Sequence, residues 1–388
     1  MQAFWIWTLL MVSCQSPSKD ASGPDEGLGD TSTADLETTD SGEAHANDSG
    51  EAHAHDSGEP PSWPGSSETD RQAAVDAMVA AAQAFLTSLS EAQRGQVQFS
   101  LGHPEQSDWS NLPHAVHARR GVSLGGLSEA QRALGWDLAR ASLSAAGLQR
   151  AQDIVQLEAL LWEDGDPNAF PGNYFFTFFD DPSSERPWGW QLDGHHLALN
   201  FSVVAPEVTL TPSLWGVAPK LWTTGEHAGL KPMAEEEDTA FEWIASLNTE
   251  QLAMAQLDAD ADPNLRAGPT SNPAHWPEPA GIAVSSLNPS QRAALVDWIA
   301  IYVGNLTEPQ AAERMAEIET HLDDVSVAWM GGTEPGSMMY YRIHGSGVLI
   351  EFDHTSSAGH IHAVYRDPNN DYGVDWLGKH LKEHHTHH

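Results

Sequence analysis

The sequence predicts an α+β fold, in which capped helices pack on an antiparallel β-sheet or meander within a single domain. Three observations carry this. One helix-start signature occurs four times: LSEAQR at 89–94, LSEAQR at 127–132, LNTEQL at 247–252 and LNPSQR at 287–292. Strand-like runs fall in two blocks joined by short polar turns. The helical patterns lie before, between and after those blocks, so helices and strands are segregated rather than alternating.

The chain opens MQAFWIWTLLMVSC. Residues 3–13 are one apolar run, shorter than the ~20 residues of a membrane span. It ends at Ser13 and Cys14, which resembles a bacterial lipoprotein signal, where a small residue precedes the lipidated cysteine. The run follows no Lys or Arg, and Met11 stands where Leu is usual, so an ordinary secretory signal is the alternative. Residues 1–14 are read as the signal, with Cys14 lipidated as the mature N-terminus. The expected location is outside the cytoplasm, at the outer membrane or cell surface. Cys14 is the only cysteine, which excludes internal disulfides and cysteine zinc sites.

Residues 15–68 read as an acidic, disordered tether. From Gln15 to Asp70 there are 14 Asp and Glu against one Lys, and DSGEAHAN, DSGEAHAH and DSGEP repeat at Asp40, Asp48 and Asp56. Such a segment cannot bury enough apolar area to offset the entropy of ordering, so a chain starting near Thr69 is expected to keep full stability. The whole chain carries a formal charge of −37. That excludes nucleic-acid partners, which require basic surface, and leaves the lipid anchor as the contact with a membrane.

The domain, residues 69–388, opens with TDRQAAVDAMVAAAQAFLTSL, apolar at helical spacing. Each of the four signatures sets Ser or Asn ahead of an apolar run with Gln three residues on, the arrangement of a capping box, and a Leu one step before it as a hydrophobic staple. Their uneven spacing makes them repeated helix starts rather than a solenoid. The first strand block is NYFFTFF (173–179), WGWQL (188–192) and HHLALNFSVV (195–204). The second is DVSVAWMG (324–331), MMYYRIHG (338–345), GVLIEFDH (347–354) and GHIHAVYR (359–366), an antiparallel meander. Helical patterns cover 235–260, 287–321 and 374–384.

GWQLDGHHLALNFSV, the MMYYRIHGSGVLIEFD hairpin and GHIHAVYRDPNNDYGVDWLGKH together resemble the bacterial domain of unknown function 3500 family. The resemblance runs from the capped helices to the C-terminus. It implies a shared fold and no activity, so function rests on the residues.

There is no glycine-rich phosphate loop, dinucleotide fingerprint or G-x-S-x-G elbow. HLKEH, His380 to His384, fits H-x-x-E-H, but within the run HLKEHHTHH it reads as a tail that takes up metal non-specifically. His360 and His362 are the foremost candidates. Strand alternation sets His360, His362, Val364 and Arg366 on one face and Ile361, Ala363 and Tyr365 on the other. Two or three imidazoles with a carboxylate suit a divalent transition metal such as Zn, Fe, Mn or Cu; a histidine pair on a buried strand can equally be a hydrogen-bonded core. Glu351 and Asp353 lie on the preceding strand, near the turn into His360.

His196 is the third candidate ligand or general base, with Asn200 on its face of the strand. The same alternation puts His195 toward the core unless Gly194 bends the strand. Arg366 is a candidate anchor for a substrate carboxylate or phosphate, or the structural partner of Asp371. His195, Asn200 and Asp371 are candidate ligand-binding residues. Two function classes follow. One is an exported metal-dependent enzyme, a hydrolase or oxidoreductase, with metal on His196, His360 and His362. The other is a non-catalytic surface lipoprotein that binds a small ligand or cell-envelope glycan, with tryptophans such as Trp188, Trp190, Trp215, Trp222, Trp243 and Trp298 as aromatic platforms or core.

Overall fold

The computed structural model describes residues 63–269 and 271–385. The signal segment, Cys14 and most of the tether lie outside them. Among the described residues there are nine α-helices and one thirteen-stranded mixed sheet.

The elements fall into two matching series. The first runs α1 (Glu68–Ser88), α2 (Glu91–Val97), β1 (Gln98–Phe99), β2 (Val122–Ser123), α3 (Glu129–Ser142) and α4 (Ala145–Glu163). It continues with β3 (Phe175–Phe179), β4 (Trp188–Gly194), β5 (Leu197–Val204), β6 (Glu207–Thr209) and β7 (Ser213–Val217). The second runs α5 (Ala234–Ala245), α6 (Thr249–Ala255), β8 (Gln256–Asp258), β9 (Ile282–Ala283), α7 (Pro289–Val303) and α8 (Glu308–Thr320). It then adds β10 (Ser326–Gly331), β11 (Met339–Gly345), β12 (Val348–His354) and β13 (Ile361–Arg366), and α9 (Val374–His385) follows. Strand order is β1-β3-β4-β5-β7-β13-β12-β11-β10-β8, with β2 on β3 and β9 on β10. That order reads the same from either edge. The halves are related by a pseudo-twofold axis through the antiparallel β7–β13 pair.

All four repeated signatures close as capping boxes, at Ser90/Gln93, Ser128/Gln131, Asn248/Gln251 and Asn288/Gln291. They belong to the duplication. Within each half the two capping glutamines bond one another, Gln131 Nε2 to Gln93 Oε1 at 3.1 Å and Gln251 Nε2 to Gln291 Oε1 at 2.9 Å. The aromatic cores match as well. Cross-strand partners Trp190 and Phe201 stack at 4.4 Å, and their counterparts Tyr341 and Phe352 at 4.9 Å.

Helices α1–α8 lie against one face of the sheet, and α9 meets β5 from the other. Leu197, Leu199, Phe201 and Val203 share that core with Tyr341, Ile343, Ile350 and Phe352. Trp188, Trp190, Trp215, Trp243 and Trp298 are buried there too, which makes them core and not platforms. The other face carries Gln191, Asp193, Asn200, Arg342, Glu351, Asp353 and His362, all buried. Two long loops, 100–121 and 259–281, supply its partners: Gln191 donates to Gln106 O, Arg119 meets Asp193 at 2.9 Å, and Ala267 N–H donates to Glu351.

Among the described residues, contacts with the domain are already made at Trp63, inside the segment expected to be tether. Trp63 N–H donates to Glu319 Oε2 at 2.8 Å and its ring packs on the core, Ser66 N–H donates to Glu313, and Ser67 caps α1. A chain beginning at Thr69 is therefore expected to be less stable than one beginning at Trp63, by about 1–2 kcal/mol from the lost cap and contacts. Denaturant unfolding measures this, and equal midpoints would mean that Trp63–Glu68 contributes nothing.

Candidate metal centre

The site forms where the two halves meet, at one end of β7 and β13. His362 lies opposite Gly216 of β7, and His196 O accepts the Gly216 N–H at 2.7 Å. Gly216 is required by the closeness of the two rings. A Cβ there would sit 2.9 Å from His362 Cδ2 and 3.2 Å from His196 Cδ2. His195 and His196 are not strand residues. They form the two-residue turn between β4 and β5, closed by the Gly194–Leu197 pair, and His196 takes a left-handed backbone with φ 62°. The turn resets the alternation, so both imidazoles come to the same end of the sheet, stacked 3.8 Å apart.

Three ring nitrogens converge. His196 Nε2 is 3.1 Å from His360 Nε2, which is 3.2 Å from His362 Nε2. His362 is locked in one tautomer. The Thr355 hydroxyl gives its single proton to Asp353 Oδ1 at 2.6 Å, so its oxygen accepts from His362 Nδ1–H at 2.7 Å. The lone pair of His362 is therefore on Nε2, facing the other two rings. Behind His196, Glu158 Oε1 lies 3.6 Å from Nδ1. The same oxygen is 2.7 Å from His195 Nδ1, off the line of a hydrogen bond, and Glu158 Oε2 has no hydrogen-bond partner among the described residues. Both carboxylates, Asp353 and Glu158, are buried.

Burial lowers the pKa of His196 well below the usual histidine value, with the neighbouring imidazoles adding to the effect. His360 is lowered to about 3 by burial and by His362 and His195. Both rings are neutral at pH 7 and present lone pairs, the form that binds metal. His196, His360 and His362 form one group that could hold an ion; Glu158, His195 and His196 form a second, sharing His196.

The other candidates are engaged elsewhere. Arg366 donates Nε–H to Ala267 O at 2.5 Å and Nη2–H to Gly268 O at 3.0 Å, and pairs through Nη1 with Asp371 at 2.7 Å. Its guanidinium lies between Trp109 and Trp276, 5.4 and 4.8 Å from their ring centres, so it ties the two covering loops together. Asn200 accepts from Gln191 and donates to Pro212 O. Glu351 is held by Tyr340 and Ala267. The H-x-x-E-H match falls on α9, where the side chains of Glu383 and His384 lie outside the described residues.

Glu158, Thr355, Gly216 and Asn111, whose Nδ2 is 3.3 Å from His362 Nε2, are absent from the sequence-based reading. Glu158 is one polar position among several on α4, Thr355 one hydroxyl in a polar turn, and Asn111 sits in a loop without periodicity. None of the three carried a signal. Gly216, in SLWGV between Pro212 and Pro219, marks a close backbone approach once that run is read as a strand.

The family model described as protein of unknown function (DUF3500) matches residues 71–374, and the chain belongs to that family. No curated protein and no solved structure matches it.

An imidazole neutral in the native state but free to protonate near pH 6.5 when unfolded makes the unfolded state bind more protons as pH falls. The stability it contributes is complete above about pH 6.5 and is lost progressively toward about pH 3, the value reached by His360. Metal-free protein is thus expected to lose stability between pH 7 and 5. In His360→Gln that loss should be smaller by about 1 kcal/mol. Denaturant unfolding at the two pH values tests this; an identical loss in both proteins would mean that His360 titrates as if in water.

Proposed function

We propose that this DUF3500 member is a metalloprotein that holds one divalent transition-metal ion on His196 Nε2, His360 Nε2 and His362 Nε2. One observation carries the reading. The His360 ring nitrogen, half-buried, lies 3.1 and 3.2 Å from those of the buried His196 and His362, close to the ligand–ligand spacing of about 3.3 Å that metal–nitrogen bonds of ~2.0–2.1 Å give around a tetrahedral ion. Bare lone pairs this close repel unless a ring N–H or a cation lies between them, and burial of His196 and His360 disfavours any added proton. Charge supports it too. Three neutral imidazoles leave the ion's two positive charges unbalanced, and the buried carboxylates of Asp353 and Glu158 would supply two negative ones. Thr355 and Asp353 orient His362 from behind, and Glu158 stands behind His196, the outer-shell arrangement of metal-bound histidines.

Three histidines leave a fourth position open, the mark of a catalytic rather than a structural centre. Water held there on zinc ionises near neutral pH and becomes a nucleophile. The reading is therefore a metal-dependent enzyme acting by hydrolysis, with a redox metal and oxidoreductase chemistry as the variant. The absence of thiolates favours Zn, Cu, Fe or Mn over metals that prefer sulfur ligands. The enzyme is proposed to work outside the cytoplasm, anchored through lipidated Cys14. Its acidity, −37 overall, disfavours nucleic-acid partners and suits a small-molecule or glycan substrate.

A second reading is favoured by the same spacing, because 3.1 Å also fits an N–H···N hydrogen bond. In it the cluster is polar core in a lipoprotein that binds a ligand elsewhere. Elemental analysis of tag-free protein separates the two. Stoichiometric metal is expected in the natural chain and its loss in His196→Ala, His360→Ala and His362→Ala, with far-UV circular dichroism unchanged. Metal-free natural protein, with each substitution costing about 1–3 kcal/mol from stranded buried partners, would sink the enzyme reading. Because burial holds His196 and His360 neutral, metal affinity should persist below the usual histidine range near pH 6.5, where ordinary imidazoles lose metal to protons.

A further inference from the structure

We infer that Asn111 is the group that selects what binds at the open position of the centre, and that the occupant is a small oxyanion of the carboxylate type. The inference rests on the metal reading above and on the tautomer of His362. Thr355 takes the Nδ1–H of His362, so Nε2 carries only a lone pair. The atom of Asn111 that faces it at 3.3 Å must then be the amide nitrogen, since a carbonyl oxygen there would set two acceptors against each other. A cation bound by the three imidazoles takes that lone pair. The Asn111 N–H then loses its acceptor beside the ion and must find another within reach. An anionic oxygen in the open position meets both needs, bonding the metal and accepting the N–H.

Asn111 is placed for this by a fixed loop. The ring of Trp109 is buried and donates Nε1–H to Tyr372 OH at 2.8 Å. Arg119 binds both Ser110 O and Gly194 O, and meets Asp193 at 2.9 Å. The Asn111 carbonyl accepts from His196 N–H at 3.2 Å, tying the loop directly to a ligand residue. Asn111 itself is only half-buried and Leu112 beyond it is 44% exposed, so a ligand can approach from solvent on this side. The Asn111 amide does not compete for the metal, because it has neither the charge nor the basicity of the three imidazoles.

The test uses the tag-free full chain loaded with cobalt(II), whose visible absorption reports its ligands, titrated with acetate. His360→Ala loaded in parallel gives the background from the histidine-rich tail. The natural protein should bind stoichiometric cobalt above that background and change its spectrum on adding acetate. Asn111→Leu removes the donor, and the near-isosteric Asn111→Asp replaces it with a charge that repels carboxylate. Both should keep their cobalt and bind acetate about ten- to hundredfold more weakly, the worth of a hydrogen bond to a charged group. Unchanged acetate affinity in both variants overturns the inference, as does loss of cobalt from Asn111→Leu: retained in Asn111→Asp it would make Asn111 a ligand, and lost there too it would make Asn111 a structural support of the centre. Natural protein that takes up no cobalt above the His360→Ala background ends the metal reading, and this one with it, before any acetate is added.

Discussion

Five residue pairs between β7 and β13, from Val217 opposite Ile361 to Ser213 opposite Tyr365, join the halves into one sheet. Everything else about the site depends on that seam. β7 also pairs with β5, and it accepts the hairpin of His195 and His196 on one side and the strand of His362 on the other. Histidines more than 160 residues apart in sequence meet because a single strand lies between their elements. That strand must be thin at the crossing, which is why Gly216 faces both rings. Buried polar contacts between helices of the two halves reinforce the seam. Arg150 of α4 pairs with Glu236 of α5 at 3.1 Å and donates to Asn305, just beyond α7.

Placing imidazoles at this seam sets their chemistry. The outer face of the sheet is roofed mainly by loops, with α9 over β5, so its polar residues are buried yet close to solvent. Desolvation keeps His196 and His360 neutral, while Asp353 and Glu158, also desolvated, stay within reach as counter-charges. On the metal reading proposed above, neutral imidazoles backed by buried carboxyl groups would favour a divalent cation over a proton. Arg366 belongs to the roof. Held between Trp109 and Trp276, it keeps both loops down and contributes to the centre only through the loop that carries Asn111.

Much of the fold was legible in the sequence, and what was not had a physical reason. The four capping boxes are local, four residues long and chemically specific, so they read correctly from sequence alone. The long strands were legible through alternation. The duplication was not, because β1, β2, β8 and β9 are too short for any period to register, and because β6 and β7, the counterpart of continuous β13, are broken around Pro212. With β7 hidden, the seam was invisible. His360 and His362 could be singled out by their spacing, and His196 by its parity with Leu197. The orientation of His195 could not, since strand parity stops at the turn after Gly194. The structural pairing of Arg366 with Asp371 was legible beside the anchor reading, whereas its other partners, Ala267 and Gly268, are backbone carbonyls of a distant loop and gave no signal.

The duplication supplies an internal control for the centre. The β4–β5 and β11–β12 hairpins have the same register, Gly194 opposite Leu197 and Gly345 opposite Val348. Their two-residue turns therefore occupy equivalent positions, and where one half has His195–His196 the other has Ser346–Gly347, whose backbone does not share the left-handed conformation of His196. The Ser346–Gly347 turn is held by Arg314 and Asn369, which donate to its two carbonyls, so a hairpin of this register closes without imidazoles. His196 also holds a left-handed backbone, which costs a residue with a Cβ about 1–2 kcal/mol. A bulky, strained and buried histidine where its structural twin has glycine is best explained by what its ring does. The ring faces His360 and His362, and the seam between the halves is where a duplicated scaffold, built from equivalent parts, becomes unequal.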